Sequence, residues 1–291
     1  MKRKSAVYII VQIILYIILA LMGAACLYPF LNVFSMSISS AQHVIARDVT
    51  FYPKGFWMRG YELVFQNQTL IRSYLNTIMY TVFGTILNVF LTVLAAYPLS
   101  SRNFVLRHQI SAMITVTMYV GGGMIPFFIT INQLGLYDNP LGVIIPFAVS
   151  AWNIIIARSF FDGIPESLEE AARIDGAGHF TVLLKIMMPI SKALVAVLTL
   201  YYAVGHWNNY FWPMILLAKK EYQTLQVYLR GVLITGMEQS ASDAQIGIGR
   251  FAETEQLKYA AIIFTVLPIT VVYPFVQKYF IQGVTIGAVK G

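Results

Sequence analysis

The residues best suited to acid–base chemistry lie together in one short stretch, Ile164 to Gly178, which holds Glu166, Glu169, Glu170 and Asp175 with Arg173 among them. Carboxylates do catalytic work only where they converge on a substrate in a water-poor site, and this cluster is the one place where a membrane-surface enzyme could find them. His206 stands alone beside Trp207, Asn208, Asn209 and Tyr210. A lone histidine among aromatic residues reads more readily as a hydrogen-bonded packing residue than as a proton relay. No His, Cys, Asp or Glu set has metal-ligand spacing, and no nucleophile–base constellation stands out. The Gly-x-x-x-x-Gly-Lys-Ser/Thr loop that cradles nucleotide phosphates is also absent, so energy from ATP would have to enter through a partner. These residues therefore imply no catalytic site, no metal centre and no cofactor held by this chain.

The carboxylate stretch reads instead as two short helices joined by a turn. Pro165 suits a first helical turn, where its missing N–H costs nothing, and Glu166, Glu169 and Glu170 complement the positive helix start. Leu168, Ala171 and Ala172 fall three and four residues apart and form a narrow face of mostly small side chains, which permits close approach by a partner. Asp175-Gly176 ends the helix in a conformation that glycine adopts readily. From these features alone, a solvated loop with helix caps remains the competing reading.

Composition determines what must position this hairpin. The chain is 58% hydrophobic and 11% charged, with a mean hydropathy of +0.68, too apolar for one water-soluble core. Continuous apolar stretches at 7–34, 74–99, 110–131, 141–157, 193–217 and 259–279 are each near the roughly 20 residues that cross a bilayer as helix. Their continuity, rather than alternation, favours helices over a β-barrel. The expected fold class is thus all-α, a polytopic membrane protein with about six transmembrane helices. Apart from Lys278, one residue before the end of the last stretch, no Asp, Glu, Lys or Arg lies in these apolar stretches, which argues against a proton- or ion-coupled carrier.

No linker divides the chain, so 1–291 reads as a single transmembrane domain. Pro98, Pro126, Pro146, Pro213, Pro268 and Pro274 predict kinks or breaks within spans. Gly121-Gly122-Gly123 before Pro126 is the best candidate for an irregular, movable helix. The net charge of +7 sits in the connections and reads as a topology signal rather than as a nucleic-acid surface. Basic residues in Lys2-Arg3-Lys4 and in the short 100–109 loop favour a cytoplasmic N-terminus. That places the hairpin, 162–189, inside, and the long polar segments 35–73 and 218–258 outside. Glycines 231, 236, 247 and 249 would let the second segment take tight or extended paths toward an external partner. Cys26 is the single cysteine and excludes an intrachain disulfide. A cleaved leader ending near it is disfavoured because the apolar run continues through Phe34.

Glu170-Ala171-Ala172, followed by Asp175-Gly176-Ala177 and later Pro189, resembles the cytoplasmic EAA motif of ABC importer permeases. Phe180 and Ile186 resemble its sugar-importer version. Asn76-Thr77, Ala95-Ala96-Tyr97-Pro98-Leu99-Ser100, Trp207-Asn208-Asn209-Tyr210-Phe211-Trp212-Pro213 and the ending from Tyr279 to Gly291 are similar to sugar permeases of the maltose-transporter type, in particular the second permease subunit. The ending resembles the oligosaccharide and polysaccharide subgroup. The resemblance implies a type I ABC importer permease fold and no enzymatic activity. It also implies a homologous second permease, two ATPase subunits that carry ATP and Mg, an extracytoplasmic solute-binding protein and a carbohydrate substrate. Glu169, Glu170, Ala171, Ala172, Asp175, Gly176 and Ala177 would form the ATPase-coupling surface. Trp207, Asn208, Asn209 and Tyr210 would line part of the substrate pathway. A permease of the same superfamily for a non-sugar solute remains open.

Overall fold

The computed structural model describes residues 6–242 and 248–288, with side-chain environments over 7–234, 254–274 and at Gln277. Lys2-Arg3-Lys4, Gly247 and the last three residues lie outside the described residues. Helices dominate, and among the described residues the one β-bridge joins Ser39 to Phe56.

Three helices are continuous and apolar enough to cross a bilayer. α1 (Ala6–Ser37) is apolar on every side, and none of its most apolar stretch is buried by the rest of the chain. α4 (Gln68–Ser100) and the Thr254–Pro274 part of α14 (Ile248–Ala288) are the others. Between α1 and α4 run the short helices α2 (Ala41–Ala46) and α3 (Arg59–Gln66).

The remaining expected spans are broken. α5 (Arg107–Tyr119) and α6 (Met124–Gln133) meet at 114°. The break falls on the glycine triplet: Gly123 takes φ +81, while a Cβ at Gly121 or Gly122 would meet nothing within 4 Å. The triplet thus supplies backbone freedom, not room. The turns Pro140–Val143 and Ile145–Phe147 meet α7 (Ala151–Phe161) at 44°. After α8 (Glu166–Ile174), the segment His179–Ile190 meets α11 (Lys192–Asn208) at 84°. That segment comprises α9 (His179–Val182), a π turn (Leu183–Met187) and α10 (Met188–Ile190). The span expected at 193–217 is not continuous, because α11 ends at Asn208 and α12 (Phe211–Leu216) restarts after Asn209-Tyr210.

The prolines divide into two kinds. Pro126, Pro146 and Pro213 stand in the first turn of a helical segment, where a missing N–H is no loss. Pro98, Pro268 and Pro274 lie inside helices that continue past them.

Two compact units contain these elements, one built from Met1–Ile71 with Leu229–Leu267, the other from Arg72–Tyr228 with Pro268–Gly291. In the first, Gln256 Nε2 donates to the Ser39 carbonyl at 2.7 Å and Ser37 Oγ lies 2.9 Å from Tyr61 Oη. Tyr259 covers the small core of Met36, Val44 and Val49. The polar segment expected as an outer connection, 218–258, is mostly helical: α13 (Leu225–Ser242) and the start of α14 occupy it, so Gly231, Gly236 and Gly249 take helical rather than extended paths.

In the second unit the connections segregate to two ends. At one end Arg102 pairs with Glu166 at 3.3 Å, joining the 100–109 loop to the hairpin. At the other end Asn76 Nδ2 donates to the Glu221 and Gln223 carbonyls at 2.8 and 3.1 Å. Asp138 there accepts from Lys219 N at 2.9 Å, and the two side chains pair at 3.3 Å. The bent α5–α6 pair therefore starts at the hairpin end and finishes at the opposite one. It is a broken span, not a re-entrant loop.

Candidate functional site

The hairpin is built from local signals that the sequence states openly. Pro165, at φ −58 and ψ 127, caps α8 from just outside rather than occupying its first turn. At the far end Asp175 is the C-cap and Gly176 takes φ +82. Ala177 N donates to the Ala172 carbonyl at 2.9 Å and Gly176 N to that of Arg173 at 3.0 Å. Those two bonds make a Schellman motif, which satisfies carbonyls that the helix end would otherwise leave open.

α8 has an inner and an outer face. Ala172 is buried in a core with Ala96, Tyr97, Phe161 and Val182, so of the expected coupling residues it faces the chain itself and sets how closely α8 sits. Glu169 also faces inward. Its Oε1 accepts from Tyr97 Oη at 3.0 Å and from Arg173 Nη2 at 2.6 Å. Arg173 Nη2 in turn lies 3.2 Å from His179 Nδ1, which ties α8 to the start of α9.

Glu170, Ala171, Asp175 and Gly176 are exposed, and Ala177 is half-buried. Beside them, unanticipated as site residues, are two large apolar side chains in water: Ile174, 86% exposed, and Phe180, 70% exposed, with Leu168 also exposed. Leu168, Ala171 and Ile174 recur every three residues, and that repeat could have marked the outer face. A cleft of about 510 Å³ runs along the same end, lined in part by Arg102, Arg107, Arg158, Glu166, Glu170 and Arg173.

The second group of expected residues falls at the broken end of α11. Trp207 is buried and meets the Tyr74 ring edge-on at 5.8 Å. Asn208 and Tyr210 are exposed, Asn209 is half-buried as the C-cap, and no hydrogen bond joins either asparagine side chain to another described residue. The four are adjacent but do not form one lining: Trp207 packs against Tyr74, while Asn208 and Tyr210 are exposed where α11 breaks off.

His206 takes the packing role. Its Nε2 lies 3.1 Å from Asn88 Oδ1, and Asn88 Nδ2 donates to the Phe147 carbonyl at 2.6 Å. One turn before Asn88 on α4, a Cβ added to Gly84 would stand 2.5 Å from His206 Nε2. Glycine there lets α4 and α11 close on this polar contact, and Thr92 and Tyr202 add a second one at 2.6 Å. Among the described residues no three His, Cys, Asp or Glu side chains are placed to hold a metal ion.

Comparison with known proteins places this architecture. The sequence profile described as binding-protein-dependent transport system inner membrane component matches residues 88–286. The chain is 34% identical over 280 residues to the polygalacturonan/rhamnogalacturonan transport system permease protein YtcP of Bacillus subtilis (strain 168), covering 96% of this chain and 98% of the relative. It is 27% identical over 296 residues, all of both chains, to the arabinooligosaccharides transport system permease protein AraQ of the same organism. A chain in the crystal structure of a bacterial ABC transporter involved in the import of the acidic polysaccharide alginate superposes with TM-score 0.87 at 36% identity, covering 96% of this chain and 100% of that one. The profile, the near full-length relatives and the shared fold agree with the helical hairpin between broken spans: the chain is a transport subunit, not an enzyme, and belongs to the binding-protein-dependent transport system inner membrane component family.

Proposed function

We propose that this chain is one of two non-identical permease subunits of an ATP-driven carbohydrate importer, and that its substrate is an acidic oligosaccharide. The observation that carries the coupling role is the split face of α8: Glu169 and Ala172 are committed to the chain's own α4 and core, while Glu170, Ile174 and Phe180 are left facing outward. An exposed apolar pair beside a free carboxylate suits a partner surface rather than water. An ATPase subunit carrying ATP and Mg would dock there, on the cytoplasmic side, with the N-terminus on that side as well. Each of two ATPase subunits would engage one permease. The acidic substrate class rests on the relatives named for polygalacturonan and alginate, both polyuronates, at higher identity than the relative named for arabinooligosaccharides.

Transport would proceed by alternating access. A binding protein delivering sugar and ATP on the ATPases must both favour the outward-open state, since a ligand shifts an equilibrium only by its differential affinity for the two states. Asn208, Asn209 and Tyr210 at the α11 break offer amides and a ring, chemistry that accommodates sugar hydroxyls and C–H faces. The polar segment 218–258 would be the part of the chain that meets the binding protein. Purification through a tagged copy of this chain should bring down a second permease, an ATPase and a binding protein. Loaded with galacturonate or mannuronate oligomers, that binding protein should raise ATP hydrolysis. Stimulation by neutral oligosaccharides alone would reject the acidic class, and copurification without an ATPase would reject the coupling role.

A further inference from the structure

Residues 50–58 of the first unit are all exposed, and five of them are large apolar or aromatic: Phe51, Tyr52, Phe56, Trp57 and Met58. Tyr52 is 81% and Phe56 74% exposed, far beyond the scattered apolar surface that needs no explanation. The loop is held, not loose. Ser40 N donates to the Lys54 carbonyl and Trp57 N to that of Ile38, both at 3.0 Å, and Lys54 N donates to Ser39 Oγ at 3.0 Å. Gly55, at φ +63, comes so close to Ser40 that a Cβ would stand 2.9 Å from its Oγ. A rigid mount beneath solvent-facing rings points to a surface they are meant to meet.

Where the loop sits along α1 identifies that surface. Phe51 packs edge-on against Tyr28 at 5.1 Å, Asn32 Nδ2 donates to the Val49 and Thr50 carbonyls at 3.0 and 2.9 Å, and Ser35 Oγ donates to the Phe51 carbonyl at 2.8 Å. The segment therefore doubles back along the last turns of α1. At 1.5 Å per residue α1 is about 48 Å long, against roughly 30 Å for the hydrocarbon layer. Tyr28 stands about 14 Å before its end, near the edge of that layer. The aromatic loop continues the bare apolar surface of α1 outward at the depth where tyrosine and tryptophan concentrate in membrane proteins. Its one cation is compensated, since Lys54 Nζ pairs with Asp48 at 3.2 Å. The loop can thus enter a headgroup layer without desolvating an unpaired charge.

We propose that residues 51–58 form an interfacial membrane anchor, in which Tyr52, Phe56 and Trp57 insert among phospholipid headgroups and fix the depth of the α1 end. The proposal is independent of the transported solute. The single native cysteine makes the test direct. In a Cys26→Ser background, nitroxide labels are placed at Tyr52→Cys and separately at Phe56→Cys, and the full chain, in the complex in which it purifies, is reconstituted into nanodiscs of phosphatidylethanolamine and phosphatidylglycerol. Oxygen accessibility comparable to or above that of a nickel chelate at both sites is the expected result. Accessibility dominated by the chelate would place the loop in water, and protection from both reagents would place it against another protein. Either outcome overturns the anchor.

Discussion

The Tyr97 hydroxyl donates to Glu169 Oε1 at 3.0 Å, and this bond joins the last turn of a membrane span to the helix of the hairpin. Glu169 is only 17% exposed in its side chain and shares the same oxygen with Arg173, so a motion of α8 reaches α4 through a fixed charged contact. Tyr97→Phe removes one hydrogen bond to a carboxylate, worth about 1.5–3 kcal/mol when fully shielded and nearer 1 kcal/mol after partial solvent screening. The variant should assemble normally yet transport less substrate per ATP hydrolysed, by about fivefold at 1 kcal/mol. Paired transport and hydrolysis assays on one proteoliposome preparation check this, and an unchanged ratio would show that the bond does not transmit motion.

Gly84→Ala should destabilise the second unit, because its Cβ would stand 2.5 Å from His206 Nε2. Overpacking of this kind costs about 1–3 kcal/mol. A lower thermal midpoint in detergent is expected for Gly84→Ala, with most of the loss absent when His206→Ala accompanies it. Additive midpoints across that double-mutant cycle would mean the two residues do not meet.

Gly176 sits at φ +82, and a Cβ added there would meet nothing within 4 Å, so conformation alone excludes other residues. Gly176→Val should cost about 1–2 kcal/mol and Gly176→Asn clearly less, since Asn tolerates the left-handed region. Equal effects of the two on transport would instead indicate that the space is needed for a docked partner.

How much of this was written in the sequence differs from residue to residue. The Gly176 turn and the break at Gly121-Gly122-Gly123 were legible because glycine takes positive φ without steric cost, as Gly176 and Gly123 do. The face of α8 was not. Leu168, Ala171 and Ala172 share one helix stripe, and only distant residues, Tyr97, Phe161 and Val182, decide that Ala172 turns inward while Ile174 is left in solvent. The segment 218–258 read as a loop from its polar composition, yet Gln256 is buried because Ser39, far away in the chain, supplies its carbonyl partner. The 84° bend ahead of α11 had only Pro189 to announce it, two residues early.

At the opposite end of the unit, Asp138 is held below the usual carboxylate range, chiefly by the Lys219 backbone N–H and then by its ammonium. A depressed carboxylate contributes stability above its unfolded pKa of about 3.9, and that contribution fades as pH falls through the lower folded value. The wild type should therefore lose midpoint on acidification below about pH 4, and Asp138→Asn should flatten that acid limb. Identical acid limbs for the two proteins would remove the pair from the stability of this end.

The docking role of α8 is tested most directly by Ile174→Glu. Ile174 is 86% exposed, so the change should cost the chain itself no more than about 0.5 kcal/mol. The measurement is the ratio of ATPase to permease subunits purified through a tag on this chain, with the thermal midpoint taken alongside. A sharp fall in that ratio at an unchanged midpoint, with the second permease still bound, is the predicted result. Full ATPase retention with undiminished substrate-stimulated hydrolysis would contradict it.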